Sequence, residues 1–519
     1  MEFNYDLVVV GAGAAGLLAA VAARRLGQTV LVVEADRLVG GSTALTDGRL
    51  WLPGHHLGAK SAQDSPEDAT AYLAGLLGEP TPASSLERRA AYVSAAGHLV
   101  RWLTSSKIPL NPVRSLGDYH PELPGAKMQG RVLQTQPMDR KALGEWEDKL
   151  RPEPESGSGP LARFLPKRRI TESTGESLVA QLLLRATANG VDIWLESPLV
   201  ELVSTDDRIS GVVVRRDGAD VTVSAEMVLL ASGGFERSQE LREEYLPLPT
   251  QTDWSTSVAT NTGLALQRAM AHGAATADLD AAWWRPVMVA DGVSYPLDGA
   301  RERAHSLIVD SVGDRFFDEC TIDDSVGRAV YDRGYGVRAV PSFLVMDNRH
   351  RQHVPLGPWP ANNTPRKAIE SGDIVRASTL NDLAQSLGID RAGLLGSVVR
   401  FNGFAAKGKD LDFGRGESSV TREGGKRRNP SLGKLDKGPF WAVKVYPGDA
   451  GTKGGLLTDA DSRVHRGDGT AIEGLYACGG VAASIFKRTS PGPGAALGES
   501  LIQAFLAVTA GSRSAESID

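Results

Sequence analysis

The sequence predicts an α/β chain in which a discontinuous, Rossmann-like dinucleotide-binding domain carries an inserted α+β domain. Three observations predict it. A strand, a glycine fingerprint, a helix and a second strand come first; two more strand-to-glycine junctions lie far downstream; and the composition changes between about 276 and 435. A chain of 519 residues has room for two to four domains of roughly 100–200 residues each.

The first unit is YDLVVV at 5–10, GAGAAG at 11–16, an Ala/Leu-rich helix to Leu26 and a strand TVLVVE ending at Glu34. Gly11 makes the tight turn, Gly13 admits backbone close to a pyrophosphate, and Gly16 lets the helix pack on the strand. With Ala14 and Ala15 they set a phosphate on the helix N-terminus. Glu34, followed by Ala35, is placed to accept hydrogen bonds from an adenosine ribose. The next loop, ADRLVGGSTALTDGRLWLPG, brings Gly40, Gly41 and Gly48 with the hydroxyls of Ser42 and Thr43. A nicotinamide site needs no such second loop, whereas a flavin is gripped along its whole length, so FAD is the expected cofactor. MVLLASGGF at 227–235 and GLYACGG at 474–480 supply Ala231, Ser232, Gly233, Gly479 and Gly480 in the same way.

The expected division is therefore 1–275 with 436–519 for the FAD-binding domain and 276–435 for the inserted catalytic domain. The insert carries Trp283 and Trp284, a strand-like SLIVDS, a helix pattern near 376–408 and a basic loop at 424–430 that reads as solvated surface. Residues 146–172 are rich in Pro, Gly and charge and read as a surface excursion.

Charge removes some function classes. Lys plus Arg is 57 against 63 Asp plus Glu, a net of −6, so no global positive field exists to hold nucleic acid or an anionic membrane. The two cysteines, Cys320 and Cys478, make neither a disulfide framework nor a metal cluster. No apolar stretch reaches the roughly 20 residues of a membrane span, and no basic leader precedes the first strand. The expectation is a cytoplasmic enzyme without a metal and without stable membrane insertion.

Together GGSTALTDGRLWLPG at 40–54, DYHPELPG at 118–125, AWWRP at 282–286, RFN at 400–402, DFGRGES at 412–418, PGDAGTKGGLLTD at 447–459 and SPGPGAALG at 490–498 resemble the 3-ketosteroid dehydrogenase branch of the succinate dehydrogenase and fumarate reductase flavoproteins. The resemblance implies FAD, an inserted catalytic domain, and dehydrogenation of a ring ketone at its α,β carbons. It further implies a small-molecule cyclic ketone, a steroid first, as substrate, and an electron acceptor that the sequence does not identify. The fumarate-reductase branch has a His-Thr-Met-Gly-Gly segment where this chain has Gly451-Thr452-Lys453-Gly454-Gly455. Ser42 stands where covalently flavinylated relatives carry a histidine, so FAD is expected to be non-covalent; His55 and His56 are read as capping a turn.

Such a dehydrogenation needs a polarised carbonyl, a base for the α-proton, a hydride acceptor and exclusion of water. In the resembled branch the glycine matching Gly494 polarises the carbonyl through its amide at a helix N-terminus, while Ala495, Ala496 and Leu497 follow it beside the flavin. The segment 490–498 can do both jobs. A tyrosine that helps hold the carbonyl is replaced by Ser490, and the proton-abstracting tyrosine by Asp323. An aspartate of unperturbed pKa about 3.9 becomes a useful base only where burial raises it; otherwise Asp323 is a surface or helix-capping acid. Tyr119 is retained and is expected to relay the base's proton or, its pKa lowered by an oriented dipole, to act as acid or base itself; a structural tyrosine closing a Pro-rich loop is the alternative. His120 is a weaker candidate. Lys487 could bind a carboxylate on a smaller oxo-cyclohexane ring, and the two tryptophans could wall a planar substrate. A fumarate-type ene-reductase and a catalytically weak flavin-binding protein are the remaining readings.

Overall fold

The computed structural model describes residues 3–57, 64–152, 174–417 and 429–510. Most of the expected surface excursion and nearly all of the basic loop at 424–430 lie outside these residues.

β1 (Phe3–Val10), α1 (Ala14–Arg25) and β2 (Val30–Val33) form the expected βαβ unit. Both strands read as short continuous apolar runs because both faces of their sheet are covered: Leu7 to Val10 and all of β2 are buried. The sheet has eight strands. Ala471–Ala477, Ala219–Leu230, β1, β2 and Asp192–Trp194 lie side by side and parallel. In register, Val10 is flanked by Val33 and Leu230, and Leu230 by Ala477. Gly11, Glu34, Ala231 and Cys478 therefore leave four adjacent strands at one edge, although they are scattered from one end of the sequence to the other. That edge is where an open parallel sheet receives a ligand.

Helix α1 is buried from Ala14 to Ala23 and packs between the sheet and the helices Gly175–Ala188 and Ala495–Thr509. Its small residues permit the approach. A Cβ on Gly16 would lie 2.0 Å from the Gly11 carbonyl oxygen and 3.1 Å from Val9 Cγ1, so only glycine lets the helix start this close to β1.

A second, six-stranded sheet runs Val293–Pro296, Ala282–Ala290, Phe440–Thr452, Ser342–Met346, Ser306–Val309, with Val375–Ala377 also against Phe440–Thr452. Its alternation is plain in sequence and structure. Ile308, Leu344 and Met346 enter one core, while Leu307, Val309, Phe343 and Val345 enter the other, under the helices Leu380–Leu387 and Arg391–Lys407. The helix pattern near 376–408 is thus two helices, separated where Gly388 turns left-handed. The strand Phe440–Thr452 pairs within this second sheet although it lies beyond residue 435, and its end, at Ala450 to Lys453, reaches the site described next.

Candidate active site

A cleft of about 260 Å³ opens along the strand ends. Gly11, Gly13, Ala14 and Ala15 line it, as do Glu34, Ala35, Gly41, Ser42 and Thr43. Ala231, Ser232, Gly233, Gly479, Gly480, Ala496 and Leu497 complete the expected set on its walls. Gly16, Gly40, Gly48 and Ala495 do not reach it and act one layer back. Gly16 seats α1, Gly40 donates its N–H to the Ala12 carbonyl at 3.0 Å, a Cβ on Gly48 would lie 2.3 Å from the Thr174 carbonyl carbon, and the Ala495 amide turns back to the Gly492 carbonyl at 3.3 Å.

The donor set fits FAD. Three helices that start at the cleft, α1, Leu264–Ala271 and Ala495–Thr509, have glycine N-caps, Gly13, Gly263 and Gly494, which offer no side-chain acceptor. Their positive dipole ends are left to favour an anionic ligand. Glu34 Oε2 accepts from Ala12 N at 2.8 Å and Oε1 from Asp36 N at 2.9 Å; each oxygen keeps a lone pair for a ribose hydroxyl. Ser42 Oγ accepts from Val258 N at 3.2 Å and Asn261 Nδ2 at 3.1 Å, which leaves its own proton for a ligand.

None of Tyr119, Asp323, Ser490 and Gly494 lines the cleft itself, but Tyr119 is tied by its backbone to the 490–494 turn and feels the charge of Asp323. The Tyr119 amide donates to Pro491 O at 3.0 Å, and Tyr72 Oη donates to the same oxygen at 2.7 Å. The preceding residue, Asp118, is buried and holds its loop down, accepting from Trp51 Nε1 at 2.8 Å, Lys127 N at 2.8 Å and Arg131 Nη1 at 2.6 Å. Gly494, at φ +87°, lies so near Arg49 that a Cβ would meet its carbonyl carbon at 2.3 Å. Its carbonyl accepts from Trp51 N at 3.1 Å. Ser490 is buried, with Oγ 3.4 Å from the Gly492 carbonyl.

Asp323 opens the helix Asp323–Gly334 at its first helical residue. It is neither a cap nor a free surface acid. Oδ1 accepts from Arg301 Nη2, and Arg301 is fully buried. Desolvation, then the nearby Asp298, push the Asp323 carboxyl up to about 6 against the opposing pull of Arg301 and Arg285. Asp298 is itself held below the usual carboxylate range, its burial overcome by Arg285, whose Nη2 lies 2.7 Å from Oδ2.

Three expectations need correction. Burial first, and the Asp323 charge second, raise the Tyr119 hydroxyl above its ordinary pKa rather than lowering it, so Tyr119 is a phenol that keeps its proton. Lys487 donates to the Leu77 and Glu79 carbonyls at 2.8 and 2.6 Å, and Arg488 pairs with Asp280 at the surface, so Lys487 holds a turn and faces no carboxylate ligand. Of the tryptophans, Trp283 lines the cleft, while Trp284 is core, its ring centroid 5.1 Å from that of Tyr331. His55 Nδ1 accepts from Leu57 N at 3.1 Å, capping a turn as expected, and His120 Nδ1 sits 3.5 Å from Glu122.

Lys453 is the residue that sequence reasoning passed over, having registered only the histidine missing two positions earlier. It is fully buried, lines the cleft, and lies 3.3 Å from Asp324 Oδ1. Glu236 and Glu499 also line the cleft, both raised by burial.

Comparison with known proteins agrees with the geometry. Residues 6–497 match the family described as FAD binding domain. The chain is 33% identical to the 3-oxosteroid 1-dehydrogenase of Mycolicibacterium smegmatis, over 97% of this chain and 96% of that one. It is 31% identical to the 4-oxocyclohexanecarboxylate 2-dehydrogenase of Sinomonas cyclohexanicum, over 97% and 92%. The crystal structure of 3-ketosteroid delta1-dehydrogenase from Sterolibacterium denitrificans, in complex with 1,4-androstadiene-3,17-dione, superposes with a TM-score of 0.92 at 31% identity, covering 98% of this chain and 99% of that one. A nucleotide cleft built for FAD and near full-length likeness make this chain an FAD-dependent oxidoreductase belonging to the 3-ketosteroid dehydrogenase branch of the succinate dehydrogenase and fumarate reductase flavoproteins.

Proposed function

We propose that the protein dehydrogenates a 3-ketosteroid at the carbons α and β to its ring ketone, with Asp323 as the base. The observation that carries the reading is the near full-length likeness to 3-ketosteroid dehydrogenases, supported by an Asp323 carboxyl that burial raises to about 6 and whose charge acts on Tyr119. FAD, when bound, supplies the hydride acceptor. The chain's own residues do the rest. The Gly494 amide and the Ala495–Thr509 helix end favour negative charge on the ketone oxygen, and the Ser490 hydroxyl can donate to it. Arg301 holds Oδ1 of Asp323, which leaves Oδ2 to take the α-proton. Tyr119, still protonated and near enough to Asp323 to feel its charge, takes the part of handing the proton outward on this reading.

FAD is held without a covalent bond on this reading. No histidine is among the described residues that line the cleft. The one cysteine there, Cys478, is pushed up to about 12 by burial and stays a thiol. No helix is long and apolar enough to cross a membrane among the described residues, and we assign the protein to the cytoplasm. A smaller oxo-cyclohexanecarboxylate is the second reading. It is favoured by Arg285, about a third exposed and close enough to Asp323 to act on its charge.

The test is an anaerobic titration of the purified yellow protein, following the oxidised flavin band. Bleaching by a 4-ene 3-ketosteroid is the expected result; bleaching only by 4-oxocyclohexanecarboxylate transfers the assignment to the second reading. No bleaching by either, with reoxidation of the reduced protein by an activated alkene, would make it a reductase.

A further inference from the structure

Among the described residues that line the cleft, four carry titratable oxygen or nitrogen groups: Glu34, Glu236, Glu499 and Lys453. Lys453 is the only cation of the four. Its ammonium has a separate partner for each of its three protons. Asp324 Oδ1 lies at 3.3 Å, the Thr489 carbonyl oxygen at 2.9 Å, and the Trp283 ring centroid at 4.0 Å. A neutral amine has only two protons to give, so the surroundings are built for the charged form. Burial pulls the Lys453 ammonium below its ordinary value, and Asp324 offsets this only in part.

Its place along the cleft is set by these same partners. Asp324 adjoins the base Asp323, Thr489 adjoins Ser490, and Trp283 is a cleft wall. Lys453 thus stands at the end where chemistry occurs, away from Glu34 and the adenosine end. In the dehydrogenation the β-carbon gives its hydride to FAD and the α-carbon gives its proton to Asp323, while a carbon–carbon double bond forms. When bound, FAD would take up that hydride, and the site would then hold one more negative charge. Charge of that sign is stabilised by a fixed cation in a water-poor site.

We infer that Lys453 sets the reduction potential of the flavin, making it a stronger oxidant, with Asp324 as the counter-charge that limits the effect. This rests on the FAD assignment. The test compares the midpoint potential of the bound flavin in Lys453→Met, Lys453→Arg and Asp324→Asn, by dye-coupled reductive titration without substrate, with flavin content read from the same spectra. The expected result is a flavin-retaining Lys453→Met whose reduction equilibrium moves at least tenfold toward the oxidised form, about 30 mV for a two-electron couple. Lys453→Arg stays near the parent, and Asp324→Asn moves the opposite way. An unshifted Lys453→Met overturns the inference. So does a Lys453→Met that loses its flavin while Lys453→Arg and Asp324→Asn both keep the parent potential, because the lysine then serves packing alone. A parent protein without a flavin spectrum would instead sink the FAD assignment, before any substitution is made.

Discussion

At the scale of single residues, the proposed base differs from the tyrosine of the resembled branch in being a carboxylate, Asp323. An aspartate held at about 6 is protonated and useless as a base below that pH and ionised above it. The expected pH profile of kcat/KM therefore rises through about pH 6 and then levels. Asp323→Asn should remove that limb and abolish flavin reduction by substrate while FAD content stays at the parent level; unchanged reduction would refute the assignment. Tyr119→Phe keeps the ring and the Pro491 contact, which is made by backbone, and loses the hydroxyl. If the phenol carries the proton outward, reduction slows by about 10²–10⁴-fold, the usual range for a proton-transfer group; a rapid-mixing trace at parent speed would return Tyr119 to a structural role. The proposal of these residues came from the sequence, where a change of residue type at a recognisable motif is visible. Their electrostatics was not legible there. The direction of the Tyr119 shift depends on burial and on Asp323, some two hundred positions away, and the harmlessness of Lys487 depends on two backbone carbonyls contributed by another segment.

At the scale of elements, the loop that carries Tyr119 is held by a buried ion cluster rather than by regular structure. Arg131 gives Nη1 to Asp118 and Nη2 to Asp64, both at 2.6 Å, and all three side chains are almost wholly buried. Removing one partner of such a cluster leaves an uncompensated charge, at a cost of about 3–5 kcal/mol. Arg131→Met should lose about that much stability in a denaturant titration, and an unfolding midpoint within error of the parent would show the cluster to be incidental. The glycine-bounded elements of the cofactor domain were readable in advance, since a short apolar run ending in glycine has few other uses. The long strand Phe440–Thr452 was misplaced for a related reason: composition marks where loops lie, and it cannot say which sheet a strand will join.

At the scale of the whole molecule, five parallel strands bring together segments that the sequence keeps apart, and the ligand cleft is their common edge. A cofactor that binds only the folded chain should stabilise it by mass action, about 2.7 kcal/mol at a hundredfold excess over Kd. Apoprotein prepared by mild extraction should regain that increment in thermal melts as FAD is added, and an increment independent of FAD concentration would argue against reversible, non-covalent binding. The order of the strands also bears on biosynthesis. Gly11 and Glu34 leave the ribosome long before Gly479 and Ala496, which line the same cleft and are translated only after the entire second sheet. A nascent chain can therefore offer the flavin half a grip at most. Cofactor loading becomes a late event of synthesis, and a truncation between residues 323 and 496 yields a polypeptide that already contains Asp323 and still cannot close around its oxidant.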